Sequence, residues 1–155
     1  LVIADEPTTA LDVTIQAEIL RLIRELAQEM GLSMLFVTHD LGVVATICDE
    51  MTVMYAGQTV ETGPTRRVLD DPQHPYTKAL IECHPDRSVG FVGIPGSVPS
   101  PYSAPVGCRF STRCAQARPG CAERPAHLRP LDRQRQVDCV LFDPPTLPSP
   151  QGGHA

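Results

Sequence analysis

The chain has no tryptophan, and aromatic residues make up only 5% of its 155 positions. That leaves little from which to build a stacking platform for bases. It also has no excess of positive charge. A net charge of −5 gives no bulk attraction to nucleic acid or to an anionic membrane surface. No apolar run approaches the length of a bilayer span, and the opening residues do not read as a basic-then-apolar leader. Any membrane association is therefore expected to come through a partner. The phosphate-cradling pattern Gly-x-x-x-x-Gly-Lys-Ser/Thr does not occur in these residues. Nor do the paired cysteines, two to four residues apart, that structural zinc usually takes.

What is present starts with an ordinary hydrophobic share of 42%, enough for one domain with a core or for part of a larger one. Leu1, not Met, opens the chain and already lies in a strand pattern. The expectation is a piece of a longer product. Proline then divides the sequence, because 12 of 16 prolines lie at or after Pro85. Residues 1–84 show helix and strand periodicity. Residues 85–141 are proline-rich, irregular and carry four of the six cysteines. Residues 142–155, with Pro144, Pro145, Pro148 and Pro150, read as a disordered tail.

The most informative stretch is the first twelve residues. Leu1-Val2-Ile3-Ala4 runs into Asp5 and Glu6, then Pro7 and a turn through Thr9-Ala10-Leu11-Asp12. A short apolar run suits a strand buried on both faces of a parallel sheet. Acids at its C-terminal end sit where open α/β sheets place ligands. Neighbours on a strand point to opposite sides, so the two carboxylates can do different work. One can hold a metal ion, and the other can orient or deprotonate a water. A second apolar strand, from Leu32 to Thr38, ends at His39 and Asp40.

Between them the pattern predicts a helix from Val13 to Met30. Ile15, Ile19, Leu22, Ile23, Leu26 and Met30 share one face, with Asp12 as cap and Gly31 at the end. Asp40 can cap a helix over Leu41 to Cys48. A hairpin is expected around Ala56-Gly57. A short helix capped by Thr65 follows, then a proline-stiffened turn through His74-Pro75-Tyr76 and a helix capped near Thr77.

Cys108, Cys114, Cys121 and Cys139 are spaced Cys-x5-Cys-x6-Cys-x17-Cys. Three readings stand: reduced thiols in a loop, two disulfides, or a four-cysteine metal site. The uneven spacing suits an iron–sulfur cluster better than zinc. Cys83 lies apart from the four. Arg109, Arg113, Arg118 and Arg124 fall among the cysteines and either offset thiolate charge or form a solvated basic loop.

Leu1 to Glu6 resembles the Walker B strand and catalytic glutamate of an ABC-transporter ATPase, a P-loop NTPase of α/β fold. Thr9 to Asp12 resembles that family's D-loop, with Thr where Ser is commoner. Val37-Thr38-His39-Asp40 resembles its H-loop. His74-Pro75-Tyr76-Thr77 with Ala79-Leu80 resembles the ATPase subunits of oligopeptide and dipeptide importers and their nickel-importing relatives. The Gly-Cys-Arg-Phe run at Cys108 with three later cysteines resembles their C-terminal extension, which in some members holds a 4Fe–4S cluster.

The resemblance covers about residues 1–141 and implies the C-terminal part of such a subunit. It implies that Asp5 assists Mg2+ with ATP, Glu6 is the general base, His39 contacts the γ-phosphate, and Asp12 lies at the interface between two ATPase subunits. It implies a cytoplasmic-face protein whose partners are a second ATPase subunit, transmembrane permease subunits and, indirectly, an extracytoplasmic solute-binding protein, with no nucleic acid. Rival readings are a non-catalytic remnant or metal-binding regulatory module, a nickel-importer ATPase, and a DNA-repair relative. The chain without its phosphate cradle is expected not to bind ATP tightly.

Overall fold

Val2–Asp5 (β1) and Met34–Val37 (β2) pair in parallel, with Val2 opposite Met34 and Asp5 opposite Val37. The computed structural model describes residues 1–84, 93–125 and 127–143. Parallel neighbours need a long crossover, and here it is the helix Val13–Glu29 (α1). The Asp12 carboxylate starts that helix by accepting from the backbone N–H groups of Thr14 and Ile15. Gly31, at φ 60°, follows its end. Asp40 starts Leu41–Ile47 (α2) in the same way, accepting from Gly42 and Val43.

A second, separate sheet begins with Glu50–Tyr55 (β3) and Gln58–Pro64 (β4). Ala56 and Gly57 both take positive φ at the turn between them, as a tight hairpin of right-handed strands requires. Thr65–Asp70 (α3) follows without a side-chain cap, since Pro64 rather than Thr65 precedes its first turn. Pro75–Glu82 (α4) starts about three residues earlier than expected. His74 is its cap, accepting from the Tyr76 N–H at Nδ1, and Pro75 occupies the first turn, where no N–H is needed.

The cysteine-bearing segment is mostly irregular, as its prolines suggest, but it adds two short strands. Arg129–Pro130 (β5) and Gln136–Val137 (β6) extend the second sheet to the order β3-β4-β6-β5. Val137 lies opposite Glu61 and is fully buried. Strands of two residues are too short to show alternation. Residues 85–92 and most of the expected tail, from residue 144 on, lie outside the described residues.

Two compact units result, and they do not follow the change in composition near residue 84. The first comprises Leu1–Met51 and Gly63–Pro72, and its core is Leu20, Val43, Met51, Thr65 and Val68. The second comprises Thr52–Thr62 and the chain from Gln73 on. Its core holds Val53, Val60, Ile81 and Val137 with the rings of Tyr55, Tyr76 and Phe110. Those rings lie 4.6–5.3 Å apart between centroids in tilted and edge-on pairs.

The expectation of a first strand buried on both faces is not met. Ile3 is 65% and Leu35 53% exposed. Along α1 only Leu20 is buried, and Leu22, Leu26 and Met30 face solvent. The apolar period marks the helix, but its one buried residue, Leu20, is not on the face expected to pack, and two strands and three helices give that face little to pack against.

Candidate functional site

The parallel register brings the C-terminal ends of β1 and β2 side by side. One residue beyond β1 the Glu6 N–H donates to the Val37 carbonyl at 2.8 Å. Glu6 then turns out of the strand with φ 46°, a left-handed conformation uncommon for a residue with a side chain. It is therefore the turn, not strand alternation, that aims this carboxylate. Ala10, at φ 69°, is a second such residue in the same turn. Strain of this kind costs of order 1–3 kcal/mol per residue and persists where the surroundings impose it.

Both Glu6 oxygens are engaged. Oε2 accepts from the Thr9 hydroxyl at 2.8 Å, and Oε1 lies 2.7 Å from His39 Nδ1. The ionised carboxylate only accepts, so Nδ1 carries the proton and donates. The bond to His39, then that to Thr9, holds the Glu6 carboxyl below its usual range. The same bond, with the Glu6 charge, raises His39 above the ordinary histidine value. Glu6 thus stays an ionised base near neutral pH. The His39 side chain is 82% exposed, open to a ligand at its other nitrogen.

Of the four residues singled out in this region, the fold brings Glu6 and His39 into contact across 33 positions. Asp5 is the last, exposed residue of β1. Asp12 is the α1 cap and stands outside the pair. Thr9 was legible only as part of a motif, and its hydroxyl bond to Glu6 had no separate signal. Gln16 was missed altogether. One turn into α1, its Nε2 donates to Asp40 Oδ2 at 3.2 Å.

A second cluster lies in the other unit. Cys108, Cys114, Cys121 and Cys139, separated by up to 31 positions, line one small cavity together with His74 and Ser111. All four are free thiols, which removes the disulfide reading. Burial pushes Cys108 up to about 11 and raises Cys114 and Cys139, so these thiols stay protonated. Two sulfurs accept backbone N–H groups: Cys121 from Arg118 at 3.2 Å and Cys114 from Gln116 at 3.4 Å. Gly107 lies under the first cysteine, against the carbonyls of Cys121 and Arg124, where a Cβ would not fit.

The metal site expected of these cysteines is not shown by the structure. The four cysteines are gathered, but among the described residues no three Cys, His, Asp or Glu side chains are grouped so as to hold a metal ion. Lining a common cavity is a looser condition than ligating one point, and protonated thiols gain nothing by crowding.

Three of the four arginines, Arg109, Arg113 and Arg124, bond to backbone carbonyls, a tyrosine or a carboxylate instead of offsetting thiolate charge. Arg109 donates to the Ala56 carbonyl in the hairpin turn. Arg113 donates to the carbonyls of Ile94 and Pro95 and to the Tyr55 hydroxyl. Arg124 and Arg129 pair with Asp143. No helix among the described residues is long and apolar enough to cross a membrane.

The elements that carry these two clusters are those of one class of protein. Residues 60–121 match the model of the oligopeptide/dipeptide transporter, C-terminal region. A putative peptide import ATP-binding protein of Brucella melitensis is 45% identical over 152 residues, covering 96% of this chain and 44% of the relative. A dipeptide transport ATP-binding protein of Haemophilus influenzae is 42% identical over 147 residues, 92% of this chain and 45% of the relative. A probable D,D-dipeptide transport ATP-binding protein of Escherichia coli is 44% identical over 142 residues, 90% and 43%. The chain belongs to this family of ABC transporter ATP-binding proteins and spans less than half the length of these relatives.

Proposed function

We propose that the chain supplies the hydrolytic side of the ATP site in an ABC importer of peptides, dipeptides or oligopeptides. The observation that carries this is the Glu6–His39 contact at the ends of two parallel strands. In this reading Glu6 is the general base that takes a proton from the attacking water. His39, held by Nδ1, presents Nε2 to the γ-phosphate. Asp5 assists the Mg2+ that accompanies ATP, and bound Mg2+ would neutralise phosphate charge. Asp12 fixes the start of α1 at the face toward a second ATPase subunit. The further partners are permease subunits in the membrane, with a solute-binding protein reached through them, and the site of action is the cytoplasmic face. The relatives named above handle peptides, which supports that solute class over nickel.

These residues contain the base and the histidine but no phosphate-cradling loop. The 155-residue chain alone is therefore expected not to bind ATP tightly. Titration of the chain with a fluorescent ATP analogue tests this, and micromolar affinity would contradict it. Sequencing the DNA upstream of the Leu1 codon tests the rest. An open frame with a P-loop and signature motif is expected, and a start codon with neither would favour the remnant.

A second reading concerns the thiol cavity within residues 85–141. What supports it is the convergence of four soft donors from distant positions on one cavity. Cys108, Cys114, Cys121 and Cys139 would hold a 4Fe–4S cluster, ahead of zinc, as a structural staple, after losing their protons and closing in from where they now stand. Anaerobic purification with iron, sulfide and zinc assays is the test. Stoichiometric iron and sulfide are expected, and a folded, metal-free chain would overturn it.

A further inference from the structure

We infer that Gln16 is a positioning residue for His39, acting through Asp40. This rests on the reading of Glu6 and His39 as the reacting pair. The His39 ring is largely exposed, and its Nδ1 is bonded to Glu6. Packing therefore does little to hold the ring, and the backbone of residues 38–40 must set where it starts. Asp40 fixes that backbone from three sides. Its N–H donates to the Thr38 hydroxyl at 3.1 Å. Its Oδ1 caps α2 through Gly42 and Val43. Its Oδ2 accepts from Gln16 Nε2, on another helix 24 positions away.

The second end of this link is informative. Gln16 lies one turn after Asp12, and its own N–H donates to the Asp12 carbonyl at 2.9 Å. The first turn of α1 is thereby tied to the residue next to His39. A displacement of the Asp12 end is carried through Gln16 to Asp40, and from there to the His39–Glu6 bond. Helix α2 does not need Gln16 for its cap, because the capping oxygen of Asp40 is the other one. The Gln16 bond can therefore be removed while the cap remains.

The experiment reads His39 in the nucleotide-free chain by NMR titration of its ring protons. Glu6 and Asp40 are the charged groups that the structure sets against His39, and both raise it. In Gln16→Ala the titration should move down toward the ordinary histidine value as the ring loses its fixed approach to Glu6. Gln16→Glu should also lose the link at neutral pH, because two carboxylates then face each other. The double variant Gln16→Glu/Asp40→Asn exchanges donor and acceptor. Asn still caps α2, so the double variant should titrate above Gln16→Glu, short of the wild-type value by the Asp40 charge that Asn removes. Arg21→Ala, which breaks only the exposed Arg21–Glu25 pair on α1, is the control and should change nothing.

An unchanged His39 titration in folded Gln16→Ala and Gln16→Glu would overturn the inference. So would a double variant that titrates no higher than Gln16→Glu, which decides the matter even where Gln16→Ala does not fold. The readout needs no ATP, so failure of the link and failure of the ATPase reading are separate results.

Discussion

The two compact units handle polar groups in opposite ways. In the unit of Leu1–Met51 and Gly63–Pro72, the chemically pointed residues lie at the surface and the apolar ones are poorly covered. His39 is 82% exposed while Ile3 is 65% exposed. In the other unit a carboxylate and a histidine are buried along with the apolar core. Glu61 is fully buried, with its carboxylate accepting the N–H groups of Gln73 and His74 at 2.9 Å each. His74 is 1% exposed against Phe110. One unit keeps its carboxylate–histidine pair where a ligand can reach it. The other uses a carboxylate and a histidine to fix its own backbone, so the same residue types mean different things according to burial.

This gives the His-Pro-Tyr stretch a physical role. Glu61 accepts the N–H of His74 and that of Gln73 just before it, His74 caps α4, Pro75 needs no donor there, and Tyr76 packs against Tyr55 and Phe110.

The largest way to break the contrast is Glu61→Ala. It strands the buried His74 N–H and takes an acceptor from the part-buried Gln73 N–H, at roughly 1–3 kcal/mol each. A loss of about 3–5 kcal/mol is expected in urea denaturation, with Glu61→Gln losing less because it still accepts. A cost under about 1 kcal/mol for the alanine variant would mean that the carboxylate does not fix this backbone.

The next effect is pH dependence. Burial lowers His74 to about 4, so the folded form stays neutral while the unfolded chain takes up a proton near 6.5. Between those values the unfolded state binds more protons, and stability falls as pH drops. The loss is about 3 kcal/mol across the window, complete near pH 4 and absent above about 7. His74→Asn keeps a capping side chain but does not titrate. It should be less stable overall and show a flatter profile through this range.

Much of this was legible in advance, and what was not has identifiable causes. Asp12 and Asp40 were found as caps because a short acceptor before an apolar period has one common use. Gly57 marks its hairpin by the φ values it permits, while the positive φ of Ala56 has no such signal. Glu61 gave no signal, since a carboxylate in a strand reads as solvated until the backbone it serves is known. The Glu6–His39 contact followed only from placing two strands side by side, and its aim depends on a left-handed residue that alternation does not foresee. The four cysteines stand out in the sequence by their spacing, but nothing there foretells the single cavity they line.

The smallest stability effect belongs to the exposed unit. Asp12→Ala removes a cap from the solvent end of α1 and should cost about 1 kcal/mol, read as a small fall in thermal midpoint. A cost of 3 kcal/mol or more would show that Asp12 carries load beyond its cap.

The most direct measurement is ATP hydrolysis by a complete subunit with Glu6→Gln, assayed beside nucleotide binding. Glutamine keeps the shape and the acceptor for His39 but cannot take a proton. Hydrolysis should fall by roughly 10²–10⁴-fold, the range for loss of a general base, with binding retained. Hydrolysis at the wild-type rate would contradict the assignment of Glu6 as the base and leave the Glu6–His39 pair a structural contact.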